Sequence, residues 1–520
     1  MGSLFRRAAG VIAAVAVVTA LLVVVPGSAA DAATRATGRI VGDAETTTSV
    51  AASQRARPEG QTAPVVLLVS QDSSTEALSA APVAAALGGP MLLVGRDGIP
   101  VSVVEEIRRL RPDRLIIVGG TGTISARTEE RVQKLAPSVE RIAGSNRYGT
   151  SRALVRSAFT NESEVFIATG RSFANALVGG ALAAARGEPL IAVDGLADRV
   201  PERTLDLVSD LGAKRVVLVG NPDSVSSGIY RQFARSGLEV VRLKADSASE
   251  MSAVMARRFP ESADRVIVAN TTDYRGAMAG LTYAIVRRSP LVLSGRICAD
   301  RHLQSAVRAV DAHGVAVVGS PRMLRGLVAR VTPCRSTTDP SSTWVVANKK
   351  NALRPTSYRP SDLQYVSGTG YLLRKEAATA FQKLRSGAST AGAGRLGLTS
   401  AYRSYATQKS LYAGYVASNG RTWADLHSAR AGHSEHQTGF TVDVVACGSG
   451  CGSIYSFAGT RQQKWVAANA WRYGFVVRYE KGYTDITGYT SEPWHLRYVG
   501  REVAADYHRG GFHTLEQYFG

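Results

Sequence analysis

Two histidines, a glutamate and an aspartate crowd the stretch GHSEHQTGFTVDV, Gly432 to Val444. Gly439 permits a turn, and the FTVDVV that follows alternates like a strand. His436 is therefore expected on the loop entering that strand, with Asp443 further along it. An imidazole and a carboxylate so placed suit Zn2+, whose catalytic sites take three protein ligands and keep a position for water. Two ligands do not complete such a site, and the zinc motif HExxH is absent from the sequence. SEPWH, Ser491 to His495, offers a third. Pro493 biases Glu492 towards an extended backbone, and in a polyproline-like stretch residues three apart return to one side. His495 would then bind the metal and Glu492 would hold the attacking water. The competing interpretation is ordinary surface histidines and a packed Trp–His pair, and spacing alone does not choose between them.

These residues need a scaffold. The chain has 520 residues, 45% hydrophobic and 20% charged, which suits two to four folded domains rather than disorder. A net charge of +20 favours anionic partners: nucleic acid, acidic lipid or the anionic polymers of a cell wall. The N-terminus narrows that choice. Arg6 and Arg7 precede an apolar run from Val11 to Val25, Pro26 and Gly27 break it, and SAADAA offers small residues for cleavage. This is the layout of a secretory signal peptide over residues 1–30; an uncleaved membrane anchor is the alternative. Export makes nucleic acid an unexpected partner, and no stable membrane span is expected after cleavage. The four cysteines fit export as two disulfides, Cys298 with Cys334 and Cys447 with Cys451. A metal site at CGSGC lacks a second thiol pair.

Between the leader and the histidines the chain repeats itself. RIVGDAETTTS at Arg39 returns as RIAGSNRYGTS at Arg141 and, more faintly, as RLKADSASEMS at Arg242. PMLLVG, PLIAVD and PLVLSG follow in the same register, as do the strand-ending glycines Gly119, Gly220 and Gly319. A common step near one hundred residues marks three copies, at 39–140, 141–241 and 242–334. Within each, apolar β-branched runs alternate with amphipathic helical patterns, which predicts parallel sheets covered by helices on both faces. The glycines match neither GxGxxG nor GxxxxGK[ST], so they are expected to make tight turns rather than to bind nucleotide. The repeats resemble the cell-wall-binding repeat type 2 family, most clearly in RIAGSNRYGTS, ATGRSFANALVGGALAA and RVVLVG. That resemblance implies a pseudo-threefold trio attached noncovalently to an anionic wall polymer, with Arg147 the foremost candidate for ligand contact.

RSTTDPSST, residues 335–343, reads as a linker, and all five tryptophans lie beyond it, marking a new domain at 344–520. SAYRSYATQ (Ser400 to Gln408), SEHQTGFTVD (Ser434 to Asp443), WVAANAWRYGFVVRY (Trp465 to Tyr479) and TGYTSEPWHLRYVG (Thr487 to Gly500) resemble, in order, the VanY-type D-alanyl-D-alanine carboxypeptidases. The departures are Thr441, where the family often has alanine, and Ser491, where it often has an aromatic residue. The resemblance implies an α+β zinc peptidase fold, with His436, Asp443 and His495 as ligands and Glu492 as general base. It further implies that Arg403 stabilises an oxyanion and that Gln408, Ser434 and Tyr479 hold the substrate near its terminal carboxylate. His433 and Glu435 fall outside these roles and are taken as loop residues; His427, His508 and His513 are expected to be surface or packing residues. The expected activity is that of a secreted, wall-attached carboxypeptidase removing the terminal D-alanine from peptidoglycan stem peptides. An L,D-carboxypeptidase or another stem-peptide peptidase shares the motifs, and a non-catalytic wall-anchored surface protein is the alternative of another class.

Overall fold

The computed structural model of the protein describes residues 36–260 and 262–520. The expected signal peptide lies outside the described residues.

The repeat region forms three four-stranded parallel sheets. The strands are β1 (Ala36–Ile40), β2 (Val65–Ser70), β3 (Met91–Val94), β4 (Arg114–Val118), β5 (Ser138–Ile142), β6 (Glu164–Thr169), β7 (Leu190–Val193), β8 (Arg215–Val219), β9 (Glu239–Leu243), β10 (Arg265–Asn270), β11 (Leu291–Ser294) and β12 (Gly314–Val318). The sheet orders are β3-β2-β4-β5, β7-β6-β8-β9 and, for the third, β11-β10-β12-β1. Each sheet thus borrows its last strand from the start of the next sequence copy, and β1 closes the ring by pairing with β12. The sheets are out of phase with the repeats read from the sequence. Runs such as VVLLVS are buried along their whole length because helices cover both faces.

The repeated arginine explains the phase shift. Arg141 Nη1 donates to the Gly119 carbonyl at 2.6 Å, and Arg242 Nη1 to that of Gly220 at 3.0 Å; Arg39 does the same to Gly319. These glycines have φ between 97° and 125°, a left-handed turn open to glycine, and the arginine satisfies the carbonyl that the turn leaves exposed. At the centre, helices Ser74–Ala86, Phe173–Arg186 and Tyr274–Val286 pack on one another. Their alanine and glycine content allows the close approach: a Cβ on Gly180 would lie 3.1 Å from the Leu78 carbonyl of the neighbouring helix.

Beyond the linker, β13 (Leu363–Tyr365) and β14 (Leu372–Arg374) make a hairpin ahead of helix Lys375–Thr390. The main sheet follows, built from β15 (Arg395–Ser400), β16 (Thr441–Cys447), β17 (Phe475–Tyr479) and β18 (Glu492–Tyr498) in the antiparallel order β15-β16-β18-β17. Phe381 and Leu384 of the helix meet Leu396, Phe440, Val442 and Leu496 in the core beneath it. Residues 335–343 do not act as a spacer, because the third repeat packs directly on the C-terminal domain. Leu327 joins Trp344, Val503 and Tyr507 in one apolar cluster, and the Arg325 guanidinium lies 3.9 Å from the Phe512 ring centre. Asp506 accepts from the Gly326 amide and the Tyr518 hydroxyl, each at 2.9 Å. Both disulfides are formed, Cys298–Cys334 and Cys447–Cys451. No helix among the described residues is long and apolar enough to cross a membrane.

Candidate metal centre

His436 sits in a single 3-10 turn, Glu435–Thr438, that ends at Gly439 with φ 71° and releases the chain into β16. Its ring orientation is set by the chain leaving β15. Nδ1–H donates to the Ala401 carbonyl at 2.6 Å, and the Arg403 amide donates to the His436 carbonyl at 3.3 Å. Nε2 is left buried without a hydrogen-bond partner. Asp443 of β16 lies directly across from His495 of β18 in the antiparallel register, so their side chains share a face.

His436, Asp443 and His495 are all buried, and their ligand atoms lie within 4.8 Å of one another. His436 Nε2 is 3.2 Å from Asp443 Oδ2, and His495 Nδ1 is 3.3 Å from Asp443 Oδ1. Ligands bound at roughly 2.0–2.1 Å to one tetrahedral ion are separated by about 3.3–3.4 Å. The donor set therefore fits a divalent cation in both chemistry and spacing.

Glu492 reaches the same point by a route other than the expected polyproline-like segment. On a regular strand, residues three apart face opposite ways. Here Val477 pairs with Leu496 but Tyr479 pairs with Glu492, so two steps on β17 span four on β18. This bulge turns Glu492 onto the His495 side, with Oε2 3.2 Å from His495 Nδ1.

The electrostatics follow from burial and neighbours. Burial lowers the His436 pKa to about 4, helped by the Arg403 charge, so its ring is neutral and free to ligate. Burial opposes charge on Asp443 too, but His436 and His495 win and hold it below the usual carboxylate range. For His495, burial works against the proton, yet the surrounding carboxylates of Asp443, Glu435 and Glu492 push the pKa well up. Carboxylates that would keep a proton on that ring hold a dication equally well.

The cleft over these residues has a volume of about 120 Å³ and is walled by Arg403, Tyr415, Trp423, Tyr455, Tyr489 and Trp494. A larger cavity of 640 Å³, beside Lys375 and Arg501, shares none of its residues. Arg403 places Nη2 4.0 Å from Asp443 Oδ2. Ser434 and Tyr479 line the cleft, Tyr479 with its ring centre 4.8 Å from that of His495. Gln408 does not line it: its amide donates to Ser428 Oγ at 3.2 Å and to the Ala429 carbonyl at 2.6 Å, and it braces the wall from behind. Glu435, taken from sequence as a loop residue, is instead 2% exposed and touches the centre: its Oε2 is 3.8 Å from His495 Nε2. Its position beside a proposed ligand was the available signal. His433 bonds the Asn348 carbonyl, while His427 stacks on Trp423, His508 on Trp471 and His513 on Tyr483. Arg147 is exposed in the first turn of helix Arg147–Ala158.

The match to known proteins covers the centre. The family model for D-alanyl-D-alanine carboxypeptidase, VanY, matches residues 370–501. The putative carboxypeptidase YodJ of Bacillus subtilis is 37% identical over 201 residues, which span 37% of this chain and 72% of that protein. The chain belongs to the VanY family. Its similarity to the D-alanyl-D-alanine carboxypeptidase of Enterococcus faecium, 33% over 160 residues, spans 30% of this chain and 48% of that one. Ahead of the VanY domain, cell wall binding domain 2 matches residues 39–129 and 141–230. The third sheet has the same strand order and extends the pattern. Cwp6 from Clostridium difficile shares the fold with a TM-score of 0.53 at 20% identity, covering 68% of this chain and 57% of that one.

Proposed function

We propose that the protein is a secreted, wall-attached zinc D-alanyl-D-alanine carboxypeptidase that removes the terminal D-alanine from peptidoglycan stem peptides. The observation that carries this reading is the three-ligand cluster with Glu492 beside it. When bound there, Zn2+ supplies Lewis-acid polarisation of the scissile carbonyl and acidification of a water. With the metal held by His436, Asp443 and His495, Glu492 would act as the general base towards the attacking water and would return the proton to the leaving amine. Arg403 presents a fixed positive charge to the developing oxyanion. Ser434 and Tyr479 hold the terminal carboxylate, Tyr479 as a protonated donor because burial raises its pKa well above the ordinary phenol range. The repeats keep the enzyme on an anionic wall polymer, which the net charge of +20 suits, and so raise the local substrate concentration.

The test is product analysis on defined muropeptides. Release of one D-alanine from a pentapeptide ending in D-Ala-D-Ala, abolished by chelator and by Glu492→Ala, is the expected result. Cleavage of the tetrapeptide alone would replace this reading with an L,D-carboxypeptidase, and full activity in Glu492→Ala would remove the assigned base.

A further inference from the structure

The far side of His495 faces a buried charge network that the reaction itself does not use. With Nδ1 turned to Asp443 and Glu492, His495 Nε2 is buried without a hydrogen-bond partner, and so is Glu435 Oε2, 3.8 Å away. Imidazoles that bind metals regularly donate their other N–H to a carboxylate, which fixes both tautomer and ring angle. An approach of about 1 Å makes that bond here.

Glu435 is itself held. Its Oε1 accepts from Arg478 Nε at 2.9 Å, and the other end of the guanidinium clamps Glu516 through bonds of 2.9 and 2.7 Å. Glu516 also accepts from Asn348 Nδ2 at 2.9 Å. Arg497 completes the group, with Nε 3.8 Å from Glu435 Oε1. Two arginines and two glutamates balance in charge, and the Glu435, Arg478 and Arg497 side chains are at most 1% exposed. Well-packed apolar residues would serve stability as well as such a buried network, so its placement against His495 calls for a use. Glu516 comes from helix Leu515–Phe519, beyond the VanY match that ends at residue 501.

We propose that Glu435, Arg478 and Glu516 are positioning residues that present His495 to the metal, so that the C-terminal helix of this chain braces the third ligand. This rests on the metal reading above. The test uses the full chain: the zinc Kd measured by competition with a chelating dye, and Tm with and without zinc, for the parent, Glu435→Gln and Glu516→Gln. One amide oxygen cannot serve both Arg478 and His495, so Glu435→Gln is expected to raise the Kd about 10–100-fold. Glu516→Gln should raise it by a smaller factor, and the metal-induced rise in Tm should shrink in both. A purely structural role would lower Tm equally with and without zinc and leave the Kd alone; a Kd within twofold of the parent in both variants overturns the proposal. If Glu435→Gln does not fold, Glu516→Gln carries the test. A parent that binds no zinc removes the metal reading itself, a different failure from a parent that binds while its variants match it.

Discussion

Arg403 should show two effects of opposite sign. Its guanidinium stands 4.0 Å from Asp443, with Nε buried and unpartnered. Burial lowers its pKa, while Asp443 and Glu492 work to keep it charged. A positive charge so near the centre helps a developing oxyanion and repels the cation. A unit charge and a dication about 5 Å apart at an effective dielectric near 20 interact by roughly 7 kcal/mol. The side chain is 22% exposed, so solvent reduces that figure, and we expect a gain of about tenfold, or about 1.4 kcal/mol, in zinc affinity when the charge goes. Arg403→Met should therefore bind zinc about tenfold more tightly yet lose about 10²–10³ in kcat. Arg403→Lys keeps the charge but not the fork, so its zinc affinity should stay near the parent while activity falls. Chelator competition and D-alanine release on the same preparations read both effects. Zinc binding that weakens in step with activity in Arg403→Met would refute the argument and make Arg403 a structural brace.

Other outcomes follow from features away from the centre. Burial, with Glu162 and Glu164 adding to it, raises the Glu188 pKa to about 7. A carboxyl raised on folding contributes stability below its unfolded pKa that is lost as pH rises through the folded one. Glu188→Gln should therefore be neutral at pH 4 and stabilising above pH 7, by about 1 kcal/mol once screening of the partly exposed group is allowed for; urea melts at both pH values check it. Removing Cys298–Cys334, which spans 36 positions, should cost about 4 kcal/mol, against about 2 for Cys447–Cys451, which spans 4. Arg325→Ala leaves the aromatic pair Phe512 and Tyr518 and the carbonyls of Gln517 and Tyr518 without their cation. It should split a shared calorimetric transition into two, one for the repeats and one for the enzyme domain.

His436, Asp443 and His495, which the structure brings together, were singled out by a glycine turn, an alternating strand and a proline, and by the order of the family motifs, since spacing alone did not choose among readings. The repeats were legible through their period. What the sequence hid depends on partners distant along the chain. The exchange of β1 into the third sheet pairs Arg39 with Gly319, a separation no local pattern records. The bulge that aims Glu492 comes from how β18 pairs with β17, not from the proline spacing that suggested it. Glu435 looked like any acidic loop residue because the groups that bury it, Arg478, Arg497 and His495, come from two later strands. Gln408 stood within a matching motif, and motif order carries no information on which side of a wall an amide lies.

The ligand set is the claim on which the rest depends, and X-ray absorption on the zinc-loaded full chain tests it most directly. One zinc is expected, with a shell of nitrogen and oxygen only at about 2.0–2.1 Å and the scattering signature of two imidazoles that falls to one in His495→Ala. A sulfur shell at about 2.3 Å, or an imidazole count unchanged by that substitution, would contradict it.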